Sequence, residues 1–185
     1  MSTLKVDTIL KRTGTGTITM GQSGDTISIP SGASLTVAGS SVTAVDNTPY
    51  FIAGKGGSQT SVSDNAYTQV TYVTEVADSG DNYASSTFTA PSAGKYFFSA
   101  NVTITPNSGN AIQTVLQFYK NGSGLDDYRA TLITEGMEIA QQQLVISGLI
   151  SLAASDTVKV YAKMNTDSGN ATFADGQFSG FKIIG

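Results

Sequence analysis

The clearest pattern in the chain is an alternation. Tyr96, Phe98, Ala100, Val102 and Ile104 share one side of a run whose other side carries Phe97, Ser99, Asn101 and Thr103. A period of two is that of a strand with one face in a core. The first set is therefore expected inside. Phe97, stranded on the polar side, marks an edge contact or a subunit interface. Similar runs follow one another: TYVTEV from Thr71, IQTVLQFYKNG from Ile112, LVISGLISL from Leu144, TVKVYAKM from Thr157 and FSGFKII from Phe178, each bounded by turn residues. The stretch around Thr131 to Gln143 has helix formers, but Gly136 splits it and it reads as strand–turn–strand. Asn121-Gly122 takes up positive φ cheaply and predicts a tight turn. Eight or more strands with turns at short intervals predict an all-β sandwich or barrel across residues 46–185.

Residues 1–45 have a different texture. Leu4, Val6, Thr8 and Leu10 alternate as in a strand, while Val6, Ile9 and Leu10 equally fit one helical turn. Apolar pairs then recur at Ile18/Met20, Ile27/Ile29 and Leu35/Val37, nine and then eight residues apart, separated by Gly21, Gly24-Asp25 and Ser31-Gly32. Short strands and tight turns at this spacing build β-prisms and β-helices. Three such pairs cannot bury a core alone, so an ordered segment here needs copies of itself or a partner; a flexible tether is the alternative. We therefore divide the chain into an N-terminal β segment, 1–45, for attachment or a trimer stem, and a β head, 46–185.

Composition narrows the chemistry. The 185 residues include no Cys, no His and no Trp, and about a quarter are Ser or Thr. Disulfides, thiol nucleophiles, Cys/His zinc sites and His-based acid–base schemes are excluded. Charged residues make up 13% and the net charge is −4. The ten basic residues are scattered, with Lys11-Arg12 the nearest approach to a cluster, so no nucleic-acid binding is expected. No apolar run reaches the ~20 residues of a membrane helix, and MSTLKVDTILKR lacks the apolar core of a secretory signal. Neither membrane insertion nor secretion is expected.

Catalysis finds little to work with. There are three Glu, and Asp126-Asp127, the adjacent carboxylates, read as a solvated turn. No catalytic residues and no cofactor are expected. Asp78-Ser79-Gly80-Asp81-Asn82 is an oxygen-rich loop in which Asp78 and Asp81 are weak candidates for a hard cation; Asp167 with Asn165 and Asn170, and Asp175, are others. Turn capping explains the same residues without a metal. Tyr72, Tyr83, Tyr119, Tyr128 and Tyr161 could stack on sugars or fill a core or an interface.

Five ordered blocks in Pro49–Ile184 resemble the globular head of complement component one, subcomponent q, a ten-stranded jelly roll related to tumour necrosis factor. They are PYFIAGK; the signature ending in Phe88, Thr89, Pro91, Gly94, Tyr96 and Phe98; LQFYKNG with Lys120, Asn121 and Gly122; SGLISLAASDTVKV with Asp156 and Val158; and FSGFKII with Phe178, Ser179, Gly180 and Phe181. Ser155 stands where that family usually has Gly before the aspartate, and the collagen stretch that precedes complement heads is missing. The resemblance implies a jelly-roll head, a homotrimer, and Phe97, Tyr119 and Phe178 as trimer-interface candidates. The opening MSTLKVDTI with SGDTISIPSGASLTV resembles the start of structural proteins of bacteriophages, particularly of marine and cyanobacterial hosts. That implies attachment to other virion proteins through residues 1–45, with Leu4, Val6, Ile9 and Leu10 as contacts. The expectation is a non-enzymatic, trimeric virion protein, a short tail fibre or a capsid decoration, whose head meets a host-surface glycan. The alternative is a soluble cellular lectin-like trimer.

Overall fold

The computed structural model describes residues 47–135, 138 and 141–183, with Gln22, Asp25, Thr26 and Ser28. The chain separates into two units, Met1–Thr43 and Ala44–Gly185. In the first, a turn is closed by the Asp25 N–H donating to the Gln22 carbonyl (3.0 Å) and the Gln22 N–H donating to the Asp25 carboxylate (2.7 Å).

The second unit is a sandwich of two antiparallel sheets. Its strands are β1 (Tyr50–Gly54), β2 (Gln59–Val62), β3 (Thr68–Gln69), β4 (Thr74–Asp78), β5 (Tyr83–Ala84), β6 (Thr87–Thr89), β7 (Gly94–Pro106), β8 (Ala111–Lys120), β9 (Ser123–Ile133), β10 (Gln142–Leu152), β11 (Thr157–Thr166) and β12 (Ala171–Lys182). The first sheet runs β10-β7-β12-β1-β4, with β2 also on β12; the second runs β5-β6-β11-β8-β9, with β3 also on β11. The strands expected from alternation are present. TYVTEV is shorter than expected: Thr71–Val73 lie outside β4. There Tyr72 is drawn inward, and its N–H donates to Ser86 Oγ (2.9 Å) rather than to a sheet neighbour. Asp126-Asp127, expected in a turn, sit inside β9, where an edge strand carrying charge is protected from pairing with another chain.

The core is built on aromatic rings. Phe51, Tyr72, Phe88, Tyr96, Phe98, Phe118, Phe173 and Phe178 are all fully buried. Phe98 touches rings from both sheets: Phe88 at 5.4 Å, Phe118 at 6.1 Å and Phe178 at 6.0 Å between centroids. Phe88 reaches Tyr96 across the Pro91–Gly94 turn at 5.5 Å. Phe178, a trimer-interface candidate from sequence, therefore belongs to the protomer's own core. Parity along β12 is the reason: Phe178 and Phe181 are three apart, and it is Phe181 that turns outward. Two glycines make room for rings. A Cβ on Gly180 would stand 2.5 Å from the Phe98 ring and 3.0 Å from Phe51, and Gly148 faces the ring of Tyr128. Both close approaches are made within one protomer.

Turns are closed by side chains. Asn121 and Gly122 have φ of 50° and 82°, and Ser155 holds φ 69° where a glycine would be at ease. The β7–β8 turn, Asn107-Ser108-Gly109-Asn110, and the β11–β12 turn, Asp167-Ser168-Gly169-Asn170, lie against each other. The Asn107 N–H donates to the Asn170 carbonyl (2.8 Å) and the Asp167 N–H to the Asn110 carbonyl (3.0 Å).

Phe98→Ala removes a ring that bridges both sheets and should cost about 3–5 kcal/mol, a large part of a domain's stability. Gly180→Ala should cost about 1–3 kcal/mol by pushing that ring off its seat. Phe97→Ala, on the outer face, should cost about 1 kcal/mol or less. Thermal melts of the three variants check the order. Unfolding by Phe97→Ala alone would mean that the inside–outside assignment of β7 is reversed.

Candidate functional site

With the core side of each sheet occupied, the outward faces are what the head offers. On the first sheet, register sets four side chains in a row across four strands. Leu149 of β10 pairs with Phe97 of β7, Phe97 with Phe181 of β12, and Phe181 with Tyr50 of β1. The Phe97 and Phe181 rings lie 5.5 Å apart. Leu149 is 50% exposed and Tyr50 44%. The next row is small and polar, Ser147, Ser99 and Ser179, ending in Ile52. Between the two rows a shallow hollow of about 190 Å³ is lined by Tyr50, Ile52, Phe97, Ser179 and Phe181 among others. Val145 on β10 and Val76 on β4 are further exposed apolar residues of this sheet. An apolar row beside a flat serine row is a surface suited to close contact with another protein surface.

The outer face of the second sheet is different in kind. Tyr119 of β8 stacks on Tyr161 of β11, with centroids 4.0 Å apart, and Tyr67, just before β3, leans on Tyr119 at 6.0 Å. Lys163 Nζ lies 5.3 Å from the centre of the Tyr67 ring, and Lys159 pairs directly across from Tyr119. Partial burial, followed by the neighbouring phenols of Tyr67 and Tyr161 and the Asp126 carboxylate, raises the Tyr119 pKa. Asp126 itself accepts hydrogen bonds from Gln117 Nε2 and Arg129, each at 3.1 Å. Tyr119, an interface candidate from sequence, thus sits on the opposite face of the sandwich from Phe97.

The other tyrosines considered for sugar stacking have different work. Tyr72 and Tyr83 are buried, and their hydroxyls donate to the Asn101 carbonyl (2.9 Å) and the Tyr72 carbonyl (2.8 Å). Burial raises both phenols, that of Tyr83 to about 12. Tyr128 lies over Gly148 and donates to the Leu149 carbonyl.

Asp64, Asp78, Asp156 and Asp167 are engaged as caps. Asp78 Oδ2 accepts from the Tyr83 N–H (2.8 Å), and Asp81, at φ 53°, shapes the turn before it. Asp64 accepts from Thr166 N and Oγ1 at 2.7 and 3.0 Å, and Asp167 from Asn110 N and Nδ2 at 2.8 and 3.2 Å. Asp156 accepts from the Ala153 N–H (2.7 Å) and Asn121 Nδ2 (2.7 Å) and pairs with Lys120 (2.8 Å). These are the geometries of turn closure, in which a carboxylate oxygen accepts from the chain, while the second oxygen of Asp78, Oδ1, is buried without a partner. Asp78 and Asp81 are not brought together with a third carboxylate among the described residues. Leu4, Val6, Ile9 and Leu10, the attachment candidates, lie outside the described residues.

Sequence reasoning did not single out Tyr50, Tyr67 and Leu149. Leu149 sits in an apolar run interrupted by Ser147-Gly148 and Ser151, and its parity against Ile146 and Ile150 marks it as outward. Tyr67 is an isolated ring in a turn, with no periodic signal at all.

No family model matches the chain, and no curated protein matches it. The fold does recur among solved structures. The globular domain of zebrafish complement 1qA matches over 74% of this chain and 98% of its own, with a TM-score of 0.51 and 17% identity. The head is a complement-1q-like jelly roll.

The Lys120 and Asn121 hydrogen bonds and the Ala153 amide hold the Asp156 carboxyl at about 2, below its ordinary 3.8. A lowered carboxyl contributes stability that is present above the unfolded-state value and lost as pH falls toward the folded one. Asp156→Asn should therefore melt below the parent by a constant margin at neutral pH, and the margin should shrink between about pH 4 and pH 2. Melting temperatures of the pair across that range check it; a margin that stays constant down to pH 2 would contradict the assignment.

Proposed function

We propose that the chain is a non-enzymatic structural protein of a phage virion: a homotrimer held to other virion proteins through residues 1–45, with the jelly-roll head projecting as a short tail fibre or capsid decoration. The observation that carries the trimer is the row Leu149–Phe97–Phe181–Tyr50. Four neighbouring strands put apolar side chains in line on the side of the sheet away from the core. Closed symmetry covers such a face without leaving a second copy exposed, and complement-1q-like heads resemble this one in fold. The non-enzymatic reading rests on Asp64, Asp78, Asp156 and Asp167, which serve as caps, and on the absence of His and Cys from the sequence. The virion reading rests on the N-terminal resemblance to phage structural proteins. A soluble cellular lectin-like module would share the head and differ in what the first 45 residues hold.

Sedimentation of the full chain should give a trimer at micromolar concentration. Leu149→Glu, which places a charge in the covered row, should give a folded monomer with the parent's far-ultraviolet spectrum. A parent that sediments as a folded monomer would overturn the trimer. Electron microscopy of particles from a host carrying the gene should show the head on the tail or capsid; particles without it would leave the cellular module as the better reading.

A further inference from the structure

We propose that the outer face of the second sheet binds a carboxylated oligosaccharide on the platform made by Tyr67, Tyr119 and Tyr161 between Lys159 and Lys163. The proposal does not depend on the virion reading or on the trimer.

Four of the tyrosines, Tyr72, Tyr83, Tyr96 and Tyr128, donate their hydroxyls to backbone carbonyls. The hydroxyls of Tyr67, Tyr119 and Tyr161 make no hydrogen bond to the described residues, although the Tyr119 ring lies within 6.0 Å of each of the other two. The cluster thus spends three aromatic side chains on a solvent-facing surface and leaves their polar tips free. Tyr67 is 39% exposed and tilted 56° to Tyr119, so the rings form a corner rather than a flat wall. An aromatic face takes the C–H side of a pyranose, and a free phenol serves its hydroxyls.

Charge selects among saccharides. In a chain of net charge −4, Lys159 and Lys163 lie on the same face of β11 with Tyr161 midway between them, and neither is in an ion pair with a described residue. Asp126, the acidic group near Tyr119, is already held by Arg129. Four residues along a strand separate the lysine stems by roughly 13 Å, the reach of a short oligosaccharide rather than of a single ring. Two cations at that separation, with rings between, fit carboxylates on non-adjacent sugars. A neutral glycan would leave the lysines unused, and a plain polyanion would leave the rings unused.

The test uses the full chain and three probes that carry carboxylates, namely tetragalacturonate, a hyaluronan tetrasaccharide and a trimer of sialic acid, with maltotetraose as the neutral control and dextran sulfate as the polyanion control. Binding is followed by calorimetry and by nuclear magnetic resonance of the tyrosine rings. At least one acidic probe should bind at millimolar concentration or below and shift the Tyr119 and Tyr161 signals, with maltotetraose weaker by about tenfold or more. Lys159→Gln with Lys163→Gln should weaken the acidic probe by about tenfold, and Tyr161→Ala by a similar factor. Tyr161→Phe, which keeps the stack, separates loss of the hydroxyl from loss of the fold. The proposal is overturned if none of the three acidic probes binds at millimolar concentration. It is also overturned if binding survives both sets of substitutions, or if dextran sulfate binds as tightly as the acidic probes and ignores Tyr161→Ala.

Discussion

The seating of the Phe98 ring on the bare backbone of Gly180 is the contact on which the rest of the head depends. It pins β7 against β12, the central strand of the first sheet, and from there the ring reaches Phe88 and Phe118 in the second sheet. Once that ring is inside, parity leaves no freedom. Phe97 and Phe181 must face out, Phe178 must face in, and the same choice is passed through the register to Leu149 on one flank and Tyr50 on the other. A slip of one residue would empty the core and flood the surface with rings, so the outward apolar row and the buried aromatic cluster are two consequences of one pairing.

The two outer faces follow from different sources. The row on the first sheet is made by register, from residues scattered over four strands. The tyrosine platform on the second is made by local pairing: Tyr119 and Tyr161 are diagonal neighbours on adjacent strands, and Tyr67 is delivered by the short approach to β3. One face has no charge in its central rows, and the other carries lysines. A head with two such unlike faces has room for self-association and for a ligand without either competing for the same strands.

Alternation made much of the fold legible. β7 could be read with its inside residues, because it buries one side against the opposing sheet, and β8, β10 and β11 could be read as strands. The ordered blocks of the complement-1q resemblance agreed with the jelly roll. Legibility failed where the backbone departs from period two. Thr71–Val73 reads as strand, yet a buried Tyr72 and the Ser86 hydroxyl pull it out of the sheet. Asp126-Asp127 reads as a turn, since two acids in a row are rare in strands, yet an edge strand tolerates them. Phe178 was misplaced because two aromatic residues three apart on a strand must face opposite ways, and nothing local says which one is inside. The outer rows were invisible for a simpler reason: their members meet only through pairing between strands far apart in sequence.

The turns Asn107-Ser108-Gly109-Asn110 and Asp167-Ser168-Gly169-Asn170 are near copies, each followed by a buried alanine, Ala111 or Ala171. One carries the chain from the first sheet to the second and the other carries it back, and each accepts from the other the backbone hydrogen bond that it gives. The pairings follow the same exchange, β7 with β12 and β11 with β8, so that β7 corresponds to β11 as β8 does to β12. A true twofold would place the same side chain at both first positions. Two aspartates would bring two negative charges into one joint, whereas one aspartate facing the Asn110 amide and one asparagine facing Asn170 keep it at a single charge. The correspondence stops at these side chains: Asp167 also takes the Asn110 N–H, whereas Asn107 turns its Oδ1 to the Thr172 hydroxyl.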